Sequence, residues 1–172
     1  MKTPHIPDWV RKILDHSAGH RYYPLVVALI AFASTATFAF PFVIVLIPAV
    51  LLAPRRWLVL GLLAGVSSGL GGAVLSEVFQ FMGRELVIAR FPHLAASEHW
   101  QLASDWLQHY GLVALAIIAA SPIPQTPAIL VYSLANPSAL GVLLAIGIGK
   151  TLKYVFLAWL TARYPARFIN YR

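Results

Sequence analysis

A chain of 172 residues with 59% hydrophobic and 11% charged residues carries more apolar surface than a soluble domain of that size can cover. Its mean hydropathy of +0.74 and its long apolar runs exclude a soluble enzyme and a disordered tail, and the absence of cysteine excludes a disulfide scaffold. The net charge of +7 comes from Lys and Arg that flank apolar segments without interleaved aromatics, so it reads as membrane topology and not as nucleic-acid binding.

Residues 1–22 lack the apolar core of a signal peptide. Ile6, Trp9, Val10, Ile13 and Leu14 recur at helical spacing opposite Asp8, Arg11, Lys12 and Asp15, which predicts a basic amphipathic helix on a membrane surface. Apolar sequence follows from Leu25 to Leu52, interrupted by Pro41 and Pro48, and ends in the turn Pro54-Arg55-Arg56. A second run covers 57–82. The polar stretch 84–109 contains an apolar stripe of Trp100, Ala103, Trp106, Leu107 and Tyr110, a second surface helix. Apolar sequence resumes at Leu112, breaks over Ser121-Pro-Ile-Pro-Gln-Thr-Pro127, continues to Ala135, turns at Asn136-Pro137 and makes a final run over 139–162.

Length separates spans from half-spans. The runs at 57–82 and 139–162 give roughly 35 Å of helix each, enough for a hydrocarbon core of about 30 Å. The arms of the second break reach only about half that depth and those of the first are too short to be two full spans, so both broken runs, 25–53 and 112–135, read as re-entrant hairpins. Charge supports this. With both hairpins re-entrant, Lys2, Arg11, Lys12, Arg21, Arg55, Arg56, Arg163, Arg167 and Arg172 share one side, and only Arg84 and Arg90 lie opposite. Both termini are then cytoplasmic in a multi-pass inner-membrane protein.

The segment Tyr23–Ser34 overlays Tyr110–Ser121, and each following span carries small residues four apart: Gly61, Gly65, Gly69 and then Gly141, Ala145, Gly149. The expected fold is an all-α integral membrane protein, an inverted repeat of a re-entrant helical hairpin plus one transmembrane helix, with amphipathic surface helices. The first repeat covers 23–83 and the second 110–172, the latter ending in a basic tail. The small-residue stripes are the expected helix-packing positions.

Polar groups inside the apolar runs carry the functional signal, because a charge at mid-membrane costs at least about 2.5 kcal/mol. Lys150 and Lys153 lie one turn apart near the middle of the last span, and Glu77 lies toward the end of the first, with Arg84 beyond it. Ser121, Gln125 and Thr126 add donors and acceptors at the second break; Ser34, Thr35 and Thr37 do so before the first. Lys150, Lys153, Ser121, Gln125, Thr126 and Arg84 are the candidate substrate-binding groups for an anionic headgroup, and Glu77 is the candidate for ion coupling. Gly65-Val-Ser67-Ser-Gly69 matches G-x-S-x-G but lies within a span, and all six histidines lie outside the apolar runs, so it reads as helix packing and not as a hydrolase elbow. His16 and His20 are four apart with no third ligand in view. No catalytic residue, metal or cofactor is expected.

Ser68-Gly-Leu-Gly-Gly72 followed by Gly83-Arg84, then Trp106-Leu-Gln-His-Tyr-Gly111, then Ile148-Gly-Lys-Thr-Leu-Lys-Tyr154 together resemble the DedA superfamily, also called the VTT or SNARE-associated domain family, within its YqaA-like branch. The resemblance covers most of the chain after the N-terminal helix. It implies opposed re-entrant hairpins and movement of lipids across the bilayer, of phospholipids or of a polyprenyl phosphate. Hairpins of that family usually carry an acidic residue near the tip. Neither 34–43 nor 121–128 contains one here, which leaves Glu77 for any proton coupling. Membrane lipids are the expected partners, with self-association through the glycine stripes in a non-transporting scaffold as the alternative.

Overall fold

The computed structural model describes residues 8–17, 19–37, 40–90, 98–123, 125–135 and 138–165. Parts of the expected features lie outside the described residues: the first residues of the surface helix (1–7), positions 38–39 at the first break, the linker segment 91–97, position 124 in the second break, the Asn136–Pro137 turn and the basic tail 166–172. The α-helical elements among the described residues are α1 (Asp8–Ser17), α2 (Tyr23–Thr37), α3 (Val43–Leu52), α4 (Trp57–Arg90), α5 (Glu98–Ala120, two helices joined at Gly111), α6 (Thr126–Ala135) and α7 (Ala139–Arg163).

Two helices, Pro54–Met82 and Ala139–Arg163, are long and apolar enough to cross a membrane. They form the central pair. Gly61 faces Val155, Gly65 faces Thr151 and Gly69 faces Gly147, so α4 and α7 run antiparallel in continuous backbone contact. Their outer faces carry the large side chains: Leu58, Leu62, Val66, Leu70, Val74 and Val78 on α4, and Leu140, Leu144, Ile148, Leu152 and Phe156 on α7, all exposed. Small residues inward and large apolar residues outward is the reverse of a helix built for water, and it suits association in hydrocarbon.

The shorter helices form two hairpins on this pair. In the first, α2 and α3 are 15 and 10 residues long, about 22 and 15 Å of helix, too short to span. Their outer ends meet: the Arg56 guanidinium donates to the His20 carbonyl at 2.7 Å and the Tyr23 hydroxyl to the Ala49 carbonyl at 3.0 Å. At the inner end the Ser34 hydroxyl donates to the Phe40 carbonyl at 2.6 Å and closes the break. In the second hairpin, the Ser121 hydroxyl donates to the Ile118 carbonyl at 2.8 Å and accepts from the Ile123 N–H, while Pro127 sits in the first turn of α6, where its missing N–H costs nothing. Thr37 and Ala120, Val43 and Thr126, and Leu52 and Ala135 all stand at one common offset. That offset is about a helical turn shorter than the one laying Tyr23 on Tyr110.

The hairpins approach from opposite ends. α2 packs on α4, with Phe32 and Thr35 against Gly71, and α5 packs on α7, with Leu112 beside Gly141 and Ala119 beside Gly149. The returning arms cross over, α3 to α7 and α6 to α4. Two apolar cores result. One joins Leu75 and Phe79 to hairpin two and Val142, Ala145 and Ile146. The other joins Leu60 and Ala64 to hairpin one, Tyr154, Ala158 and Leu14 of α1.

Three sequence expectations are revised. Pro48 does not break the first run but lies inside α3, since a proline removes one backbone bond and a packed apolar helix tolerates that. α4 continues to Arg90, beyond the apolar limit at Met82, because Arg84-Glu85-Leu86 are good helix formers and the next breaker is Pro92. Within α5 the surface helix and the hairpin arm are two helices that meet at a break at Gly111, where φ is 52 and ψ −126, a conformation that glycine adopts without a Cβ penalty. Finally, Gly141, Ala145 and Gly149 do not form the counterpart of the Gly61 stripe. They turn toward hairpin two, and the α7 face against α4 is Gly147, Thr151 and Val155.

Candidate functional site

Lys150 and Lys153 lie on α7 where the two helix breaks converge. The Lys150 ammonium donates to the Thr35 hydroxyl at 2.7 Å, and that hydroxyl donates to the Ala31 carbonyl at 3.0 Å. One turn on, the Lys153 ammonium donates to the Ser121 carbonyl at 2.6 Å. Lys150 thus holds the tip of hairpin one and Lys153 the tip of hairpin two, although the hairpins arrive from opposite ends. Lys150 is 6% exposed, while Lys153 is half-buried.

Aromatic groups complete the floor. The Lys150 ammonium stands 5.9 Å from the centroid of the Tyr154 ring, within cation–π range, and Tyr154 packs on Phe42 at 5.2 Å between centroids. Both rings are buried, so the cation is stabilised by a quadrupole and by neutral oxygens. The Ser68 hydroxyl is buried on the α4 side, and among the described residues no partner meets it at hydrogen-bonding geometry.

Glycine sets how closely these parts approach. A Cβ on Gly71 would meet the Phe32 carbonyl at 2.6 Å and Thr35 Cβ at 3.1 Å, and one on Gly149 would meet Ala119 Cβ at 2.9 Å. Either addition would push a hairpin arm outward and move Thr35 or Ser121 away from its lysine. Chain comparison adds no homologue to this geometry: no family model, curated protein or solved structure matches.

Of the residues expected from sequence, Lys150, Lys153 and Ser121 come together. Gln125 and Thr126 are half-buried at the start of α6, and no hydrogen bond joins their side chains to either lysine. Glu77 is exposed. Counting along the antiparallel pair from the Gly69–Gly147 contact, it stands about 16 Å from the level of Lys150. It borders a different polar group, in which Ser76 and Ser133 share a hydrogen bond of 2.7 Å and Gln80 donates to Ser76 at 3.1 Å. Arg84 lies further along α4 and its side chain is outside the described set. Thr35, Phe42 and Tyr154 were not among the expected binding groups. Thr35 had a readable signal: it continues the inward face of Ala28 and Ala31 at helical spacing, whereas Thr37 is exposed and bonds the Ala33 carbonyl.

Proposed function

We propose that the chain is a non-enzymatic integral membrane lipid transporter, a flippase or scramblase of the DedA/VTT kind, that carries an anionic or zwitterionic phospholipid or a polyprenyl phosphate by its headgroup. The observation that carries this reading is the ammonium pair at the convergence of the two breaks, each cation held by a neutral oxygen. A phosphate would add the charge neutralisation that hydroxyl and carbonyl partners do not supply. The crosswise packing of two half-depth hairpins on two spans supports an inverted repeat with its site near the midplane. The meeting of the outer ends of hairpin one at Arg56 and His20 supports re-entry from one face. The inner membrane, with both termini cytoplasmic, is the location favoured by the distribution of arginine and lysine.

A scaffold that assembles without transporting anything is the second reading. It is favoured by the same hydrogen bonds, since lysines with satisfied partners can also pin hairpins. The two readings separate on Lys150→Met in the full-length protein reconstituted into vesicles with a labelled anionic phospholipid. Thr35 keeps its bond to Ala31 when the ammonium is removed, so no charged group is stranded and the variant should fold. Loss of a charge-assisted hydrogen bond to the headgroup should slow translocation by about tenfold or more, and Lys150→Arg should keep part of the rate. A folded Lys150→Met protein that moves the lipid at the wild-type rate would favour the scaffold.

A further inference from the structure

Both lysine bonds end on the inner tips of hairpins. The contact that would bind a ligand is therefore also a contact that fastens each hairpin. An ammonium has three donors, but Lys150 is 6% exposed, with Thr35 on one side and the Tyr154 ring on another. A phosphate oxygen reaching it has to take up the direction now given to Thr35. The same holds in part for Lys153, half-buried with its short bond to Ser121. Thr35 can release the ammonium without being stranded, because its own proton already goes to Ala31. Ser121 leaves its carbonyl at the open end of α5, where a freed acceptor can be solvated.

The geometry points to Thr35 as a positioning residue. The Thr35 hydroxyl and the Ser121 carbonyl are the resting partners of Lys150 and Lys153, exchanged for phosphate oxygens on binding, so that a phosphate-bearing headgroup unfastens both hairpin tips together. This rests on the headgroup role proposed above and adds to it a conformational consequence. The lysines sit one turn apart on a single rigid helix, so one headgroup can engage both and couple hairpins that enter from opposite ends.

The test is amide hydrogen exchange of the full-length protein in phosphatidylcholine nanodiscs, read at the last turn of α2 and the last turn of α5. Without anionic lipid, Thr35→Val should raise exchange at α2 about tenfold, the ratio for one lost charge-assisted bond, and leave α5 unchanged. Thr35→Ser keeps the hydroxyl and should match the wild type. Doping the nanodiscs with phosphatidic acid should raise exchange at both turns of the wild-type protein, but in Thr35→Val only at α5. Inorganic phosphate added to phosphatidylcholine nanodiscs separates the sources: a rise at both turns supports partner exchange with free phosphate as the ligand, and a rise with phosphatidic acid alone assigns it to the lipid. A wild-type protein whose two turns stay unchanged or become protected with both phosphatidic acid and inorganic phosphate overturns the proposal, even where Thr35→Val fails to fold. A folded Thr35→Val protein with wild-type exchange at α2 overturns it equally. Failure of the transport role, seen as normal translocation by Lys150→Met, would leave the lipid-free comparison intact, so the two failures are distinguishable.

Discussion

Gly69 and Gly147 face each other where α4 crosses α7, yet they should respond oppositely to the same substitution. A Cβ on Gly69 would lie 2.8 Å from Gly147 Cα and 2.8 Å from the Leu143 carbonyl oxygen. Both neighbours are backbone, so relief requires the helices to separate by about 1 Å along their tightest contact. Overpacking of that kind costs about 1–3 kcal/mol, against which Ala returns about 0.5–1 kcal/mol of helix propensity over Gly. Gly69→Ala should therefore lose about 1–2 kcal/mol. A Cβ on Gly147 would meet only Gly69 Cα at 3.8 Å, an ordinary van der Waals distance, so Gly147→Ala should be neutral or gain up to about 1 kcal/mol. Reversible unfolding in mixed detergent micelles, followed by circular dichroism, measures both. Equal losses in the two variants would refute the register of the crossing, because no antiparallel arrangement with Gly69 closer to the partner backbone than Gly147 could produce them.

Gly111→Ala should destabilise by about 1–3 kcal/mol through the backbone alone, since φ is 52 and no atom lies within 4 Å of the added carbon; a melting temperature equal to that of the wild type would mean that α5 is not kinked there. Ser76→Ala and Ser133→Ala, which share a buried hydrogen bond of 2.7 Å, should show a coupling near 0.6 kcal/mol in a double-mutant cycle, and strict additivity would count against a pinned α4–α6 contact. Tyr23→Phe removes the bond from the buried phenol to Ala49 and should cost about 1 kcal/mol in the same unfolding assay; no loss would show that the outer end of hairpin one is held by packing.

The division into two long apolar helices and two hairpins of shorter helices was legible because helix length and proline position are local properties. The lysines were legible because a charge in an apolar run is conspicuous whatever the fold. The pairing of Lys150 with Thr35 was not, although the inward face that carries Thr35 was. Thr35 and Lys150 are far apart in sequence, and only the depth to which hairpin one inserts along α4 brings them to 2.7 Å. The apolar limit at Met82 was legible, but the continuation of α4 to Arg90 was not, because hydropathy marks where an apolar run ends and not where the helix stops. Pro48 was misread because a proline was counted as a break without asking whether packing holds the helix on both sides. The facing of the second small-residue stripe depended on which helix lay beside it, a tertiary fact that spacing alone does not contain.

Glycine spacing links the packing to the site. Gly69-Leu70-Gly71-Gly72 in α4 and Gly147-Ile148-Gly149-Lys150 in α7 place corresponding glycines at the crossing and one position before the next inward face. Gly69 and Gly147 bring the spans together, while Gly71 and Gly149 let α2 and α5 approach them. The two halves then diverge: α7 continues with Lys150 and Lys153, where α4 has Gly72 and Leu75. A Cβ at position 72 would already meet Ile146 side-chain atoms at 3.3 Å, so a lysine there would have to displace part of the core of hairpin two. It would also place a further ammonium near the first two, at an electrostatic cost that neutral oxygens do not offset. One half can therefore carry the charge while the other preserves close contact, and a pair of lysines on a single helix can reach both hairpins because glycines have already brought each tip within hydrogen-bonding distance.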